Sequence, residues 1–208
     1  MKCYLIGGGD IKKGELEEID REALANAKNR QVYVLDLTSN NKEKLARYRK
    51  ILKLYFEKLG ADKVGFISNL TSFEQVNREI RKSGLVYIPG GDTETLIHNI
   101  KKHNLESILP SLAFILVGNS AGALAMCKEV ILTKGEDIKE KRVLAGANLV
   151  PFSVDVHYDE THDKELFELS KERDIYAIPE KCAIVYNTEI NFFGNIWKFS
   201  KGKKEKVN

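Results

Sequence analysis

Residues 113–126 read AFILVGNSAGALAM, an apolar, strand-forming run that stops at Gly118-Asn119-Ser120-Ala121-Gly122 and passes into small and apolar helix formers. This is G-x-S-x-G set between a strand and a helix, the context in which that pattern has a mechanical meaning. A serine on a tight strand-to-helix turn is pushed out above the sheet, and the flanking glycines leave room for the turn and for a closely packed helix. Ser120 is therefore the candidate nucleophile. The helix opening at Ala121 directs unpaired N–H groups and a partial positive charge at the same point, so the N–H of Ala121 is a candidate oxyanion donor. A plainer reading of the same residues is a glycine-rich turn with Ser120 as helix cap.

Working outward, four further apolar runs of similar length precede this one: residues 3–7 (CYLIG), 31–37 (QVYVLDL), 63–67 (KVGFI) and 84–88 (GLVYI). With 113–117 they predict buried strands, and each leads into a helix-periodic segment, at 15–28, 42–59, 72–82, 93–103 and 121–128, with another helix at 163–173. In the segment 42–59 the residues Leu45, Tyr48, Leu52, Tyr55, Phe56 and Leu59 form an apolar stripe with lysines and arginines between them. Strands alternating with helices predict an α/β fold, a three-layer α/β/α arrangement around a mostly parallel sheet, whose sites lie at the strands' C-terminal ends. Beyond about residue 130 the short runs VILT, RVLAG, DIYAI, CAIVY, EINFF and NIWKF suit β-hairpins at one sheet edge. No repeat or linker interrupts the chain, so residues 1–208 read as one domain.

Composition narrows the function classes. The chain has 208 residues, 43% apolar and 30% charged, which excludes a mainly disordered protein. A net charge of +3 creates no dominant field, so neither a nucleic acid nor a membrane surface is implied as partner. Three cysteines with no paired spacing give no disulfide framework and suggest a reducing compartment. The first apolar run is too short for a signal-peptide core and no run reaches membrane-spanning length, so a cytoplasmic location is expected. Monomer and homodimer are equally compatible with these features.

A second glycine turn, Pro89-Gly90-Gly91-Asp92-Thr93, also follows an apolar strand. If that strand neighbours the one before Ser120, the N–H of Gly91 faces the same point as that of Ala121, and a pair of such donors is worth several kcal/mol in acyl transfer. Gly90, Asp92 and Asn119, which flank the two turns, are candidate substrate contacts; Asp92 or Thr93 also suits a plain helix cap. A third cluster, Gly7-Gly8-Gly9-Asp10, is placed to cradle a phosphate, but its spacing is not G-x-G-x-x-G and Asp36 is a weak match for the acidic partner, so no nucleotide cofactor is expected.

A serine hydroxyl needs a base. Among four histidines, His98 and His103 fall on the helix after PGGDT, and His162 lies in the polar stretch ETHDKE. His157 ends the alternating run FSVDVHY, where a strand can deliver it to a sheet edge, and is the candidate base, with His162 in reserve. The base needs an orienting carboxylate in turn. Glu180 in AIPEKCA, and Glu136 and Asp137 in the loop after VILT, all qualify, and spacing alone does not separate them.

Taken in order, PGGDT-x-x-L, VGNSAGA, VDVHY and AIPEKCA resemble the family of serine peptidases that includes dipeptidase E (aspartyl dipeptidase) and cyanophycinase, over about half the chain. The resemblance implies a fold like class I glutamine amidotransferases, hydrolysis of dipeptides or small peptides, and a Ser-His-Glu triad without metal or other cofactor. It implies Ser120 as nucleophile, His157 as base, Glu180 as orienting acid, and Gly91 and Ala121 at the oxyanion-hole positions. The order Ser, His, Glu also differs from ordinary α/β-hydrolases, where the acid precedes the histidine. The segment after His157, HYDETHDKELFELSKER, departs from members acting on aspartyl peptides: it is acidic at first, and Lys164, Lys171 and Arg173 come only later where an arginine for the substrate carboxylate is expected. Competing readings are an esterase or amidase on the same triad, and a non-catalytic ligand-binding module on the same scaffold.

Overall fold

Alternation within the first strand already divides the core. In the computed structural model, which describes residues 1–68, 71–111, 115–133 and 142–208, β1 (Lys2–Ile6) sends Cys3 and Leu5 into one apolar cluster and Tyr4 and Ile6 into another on the opposite face. The other expected strands are β2 (Gln31–Asp36), β3 (Lys63–Ser68), β4 (Leu85–Ile88) and β5 (Ile115–Asn119). They run parallel in the order β1-β5-β4-β2-β3, so the turn after β4 does neighbour the turn after β5. Residues 113 and 114, where the last run was expected to begin, lie outside the described residues.

Helices cover both faces. On the side of Tyr4 and Ile6 lie α1 (Glu17–Ala25) and α2 (Lys42–Leu59); α3 (Phe73–Lys82), α4 (Thr93–Lys102), α5 (Leu105–Ile108) and α6 (Ala121–Met126) pack on the other. Helix α2 starts where the Asn41 side chain accepts the N–H of Lys44 and ends at Gly60, whose φ of 100° suits glycine. Of its apolar stripe, Leu52, Tyr55, Phe56 and Leu59 enter the core. Leu45 and Tyr48 do not, and their position becomes functional below.

The C-terminal third comprises β6 (Glu129–Leu132), β7 (Arg142–Ala145), β8 (Ser153–Val156), α7 (Asp163–Leu169), β9 (Ile175–Ile178), β10 (Ala183–Tyr186), β11 (Ile190–Phe193), β12 (Trp197–Ser200) and β13 (Lys203–Lys206). The hairpin β10–β11 extends the central sheet antiparallel to β1, whereas β12–β13 joins β9 and β8 in a second sheet, and β6 pairs with β7 apart from both. The expected hairpins are thus shared between sheets instead of lining one edge, because residues 179–182 carry the chain from the second sheet to the first. Helix α6 is shorter than expected, since Cys127 is already extended, and α7 stops at Leu169, beyond which the Ser170 hydroxyl bonds the Phe167 carbonyl.

Close approach explains the glycines of the G-x-S-x-G turn. A Cβ on Gly122 would lie 2.0 Å from the Ile88 carbonyl oxygen, and one on Gly118 would lie 2.6 Å from the Gly122 backbone. Helix α6 therefore rests directly on the ends of β4 and β5. Gly122→Ala is expected to lower stability by about 2 kcal/mol; an unchanged urea midpoint would contradict this packing.

Beneath the sheet, Asp20 is fully buried, with Oδ2 accepting the Tyr55 hydroxyl at 2.7 Å. Burial pushes its pKa up to about 7, against a partial lowering by Tyr55. The folded protein therefore keeps this proton at pH values where the unfolded chain has released it, and this group's contribution makes stability fall as pH rises from about 4 to about 7. Asp20→Asn is expected to exceed wild type in stability by a few kcal/mol above neutrality and to lose that advantage in mild acid, as read from urea titrations at the two pH values. Among the described residues no helix is long and apolar enough to cross a membrane, and Cys3, Cys127 and Cys182 are free thiols.

Candidate active site

Ser120 stands between β5 and α6 at φ 52° and ψ −114°, a backbone conformation that a residue with a Cβ holds only when its surroundings enforce it. They do so here: its N–H donates to the Ile6 carbonyl at 2.9 Å and its carbonyl accepts the Leu124 N–H at 3.1 Å. The hydroxyl is thereby aimed into a cleft above the sheet. Its Oγ lies 2.7 Å from His157 Nε2. On the far side of the ring, His157 Nδ1 lies 3.1 Å from Glu180 Oε1. With the ring proton on Nδ1, facing the carboxylate, Nε2 is left as the acceptor for the serine hydroxyl.

Strand pairing accounts for the meeting. Strands β8 and β9 run parallel with Val156 opposite Ile178, so the residues that follow them, His157 and Pro179-Glu180, emerge side by side. Likewise β1 pairs with β5, with Ile6 opposite Asn119, which sets Gly7 and Gly8 beside Ser120. His157 adopts φ 52°, and its N–H donates to the Gly7 carbonyl at 2.7 Å. The Lys181 N–H donates to the Gly8 carbonyl at 2.8 Å. A Cβ on Gly8 would lie 2.3 Å from His157 Cε1, and one on Gly7 would strike the Pro179 carbonyl oxygen at 2.2 Å. Gly7 and Gly8 thus form a backbone platform under the imidazole. Sequence reading missed that role, because it depends on residues about 150 to about 170 positions away in the chain.

The imidazole and its carboxylate are open to solvent, with side-chain exposures of 47% and 55%. Asn119 is buried and lines the cleft, and its Oδ1 has no hydrogen-bond partner among the described residues. Gly90 lies against the serine, since a Cβ there would be 3.4 Å from Ser120 Cβ. Gly91, at φ 142°, lines the cleft, and a Cβ on it would lie 2.7 Å from the Thr38 side chain. Ala121 is buried at the first position of α6, where its N–H has no intrahelical acceptor. Asp92 lies outside the cleft lining: its carboxylate accepts the Thr95 N–H at 2.7 Å and caps α4.

The remaining histidines sit elsewhere. His98 is exposed on α4, and His103 has a pKa lowered by burial. His162 Nδ1 is 2.7 Å from Asp155 Oδ2, a bond that raises the His162 pKa. Burial in turn pushes the Asp155 carboxyl up. Glu136 and Asp137 lie outside the described residues. Among the described residues no group of three or more His, Cys, Asp or Glu side chains gathers as metal ligands.

The cleft, about 260 Å³, runs from Ser120 across Gly90 and Gly91 to the end of β2 and the first turns of α2. Its far wall consists of Asp36, Thr38, Ser39, Lys44, Leu45 and Tyr48. Asp36 is buried against Arg49, and burial raises its pKa although Arg49 pulls the other way. Leu45 and Tyr48, which the helical period assigned to the core, overhang this cleft instead.

Comparison with known proteins agrees with this architecture. An uncharacterized peptidase of Listeria monocytogenes is 27% identical over 159 residues, covering 71% of this chain and 78% of its own. The crystal structure of a peptidase from an acI-B1 actinobacterium superposes with a TM-score of 0.69 at 16% identity, covering 100% of this chain and 93% of that one. A candidate peptidase E protein from Listeria monocytogenes EGD-e, solved at 1.5 Å, also gives a TM-score of 0.69, at 19% identity, over 92% and 97% of the two chains. Residues 3–191 match the model of peptidase family S51, so the chain belongs to that family and is a peptidase.

Proposed function

We propose that the protein is a serine exopeptidase that cleaves dipeptides or small peptides through Ser120, His157 and Glu180, without a cofactor. The observation that carries this reading is the unbroken contact from Ser120 Oγ to His157 Nε2 and from His157 Nδ1 to Glu180 Oε1, at 2.7 and 3.1 Å, on a strained strand-to-helix turn. Ser120 Oγ attacks the scissile carbonyl while His157 Nε2 takes its proton. The N–H groups of Gly91 and Ala121 receive the resulting oxyanion. His157 then returns the proton to the leaving amine, and the C–N bond breaks to leave an acyl-enzyme. A water molecule, deprotonated by the same nitrogen, releases the acid. Glu180 holds the ring proton on Nδ1 throughout.

The leaving amine departs on the His157 side, so the acyl residue occupies the cleft that runs toward Asn119 and α2. A cleft of about 260 Å³ closed by Lys44, Leu45 and Tyr48 has the scale of a single residue, which favours small peptides. The test is a dipeptide library varied at its first residue, digested by wild type and Ser120→Ala in parallel with simple esters. Ester turnover without peptide turnover would favour an esterase, and failure of a fluorophosphonate to label Ser120 in the folded protein would remove the nucleophile. Activity is expected to be unaffected by chelators.

Glu180→Gln is expected to cost only about tenfold in kcat, because an ion pair this exposed is strongly screened by solvent. Loss comparable to that of Ser120→Ala would show that Glu180 does more than orient the ring.

A further inference from the structure

We propose that Lys204, on the C-terminal strand β13, is a positioning residue for His157, acting through the turn that follows it; the proposal rests on the reading of His157 as the base. The imidazole leaves β8 at a left-handed residue, and such a conformation persists only if the chain on both sides is held. Upstream, the His157 N–H is tied to Gly7. Downstream, the restraint passes through Tyr158, a buried side chain whose hydroxyl donates to Asp163 Oδ1 at 2.6 Å.

The other oxygen of that carboxylate belongs to Lys204, with Nζ 2.9 Å from Asp163 Oδ2. The same ammonium lies 5.4 Å from the Tyr158 ring centroid, 5.7 Å from that of Trp197 and 5.8 Å from that of Phe199. It also lies 3.8 Å from Glu160 Oε1, and the Lys204 side chain is only 18% exposed. A cation over three ring faces and against a carboxylate is held more firmly than a surface lysine. Lys204, Asp163 and Tyr158 thus close a triangle beside the residue that follows His157. The family match ends at residue 191, so this brace comes from a hairpin beyond the matched region.

Lys204→Met keeps the apolar stem and removes the charge, while Lys204→Arg keeps both. In protein carrying ¹⁵N-histidine, the His157 ring resonances are expected to shift or broaden in Lys204→Met and to return in Lys204→Arg. For a cleaved dipeptide, kcat is expected to fall about tenfold in Lys204→Met with KM unchanged, and to recover in Lys204→Arg. Ring resonances and kcat unaltered in a folded Lys204→Met, or changes that Lys204→Arg fails to reverse, would overturn the proposal. Should Lys204→Met not fold, Tyr158→Phe opens the triangle at the hydroxyl while leaving the ring beneath the ammonium. It is expected to move the His157 resonances in the same direction, and unmoved resonances would overturn the proposal. If wild type neither cleaves peptides nor reacts with fluorophosphonate, the peptidase mechanism fails, and the ring resonances still decide whether Lys204 positions the imidazole.

Discussion

Ser120→Ala is expected to leave the fold intact and to reduce kcat for peptide hydrolysis by on the order of 10⁶-fold. The only atom removed is Oγ, which hydrogen-bonds His157 Nε2, while the strained backbone at this position is held by main-chain bonds to Ile6 and Leu124 that alanine retains. Thermal unfolding should therefore be nearly unchanged. His157→Ala is expected to cost a similar factor, and the double variant no more than either alone, because a nucleophile and its base act as a unit. The measurements are kcat on a cleaved dipeptide, fluorophosphonate labelling and a melting curve for each variant. Substantial activity remaining in Ser120→Ala would place the chemistry on another residue.

Gly8→Ala is expected to lower kcat by at least about 10²-fold, although no reacting atom changes. The added methyl would sit 2.3 Å from His157 Cε1 and 2.5 Å from Nδ1, so the ring must move by more than an ångström or the backbone must yield. Gly8 also holds φ 134°, which an L-residue rarely adopts, so relaxation of the main chain is costly as well. Either movement lengthens the 2.7 Å contact with Ser120. The diagnostic result is a folded protein whose Ser120 reacts with fluorophosphonate far more slowly than wild type. A Gly8→Ala enzyme with normal labelling would mean that the glycine platform does not set the position of the imidazole.

Legibility differed from residue to residue for physical reasons. Ser120 was visible because a strand, a glycine turn and a helix are contiguous in the chain, and local sterics make that combination a statement about geometry. His157 and Glu180 were visible only as a shortlist, since residue type and local pattern say nothing about which strand ends lie together. The role of the glycines at 7 and 8 was missed for the same reason: glycine clusters signal close approach but do not name what approaches. Leu45 and Tyr48 satisfied the helical period and still left the core, because the first turns of α2 line the cleft beside the end of β2.

Periodicity and turn chemistry by themselves determined the layered α/β architecture, the strand-turn-helix at Ser120 and the absence of a dominant charge field, because each is a property of neighbouring residues or of composition. Tertiary structure alone decided the rest. The parallel pairing of β8 with β9 brings His157 and Glu180 out together, and the pairing of β1 with β5 slides a glycine backbone beneath the ring. The turn at residues 179–182 divides the C-terminal hairpins between two sheets. Register between distant strands is set by burial of whole faces at once, a global constraint that no single segment encodes.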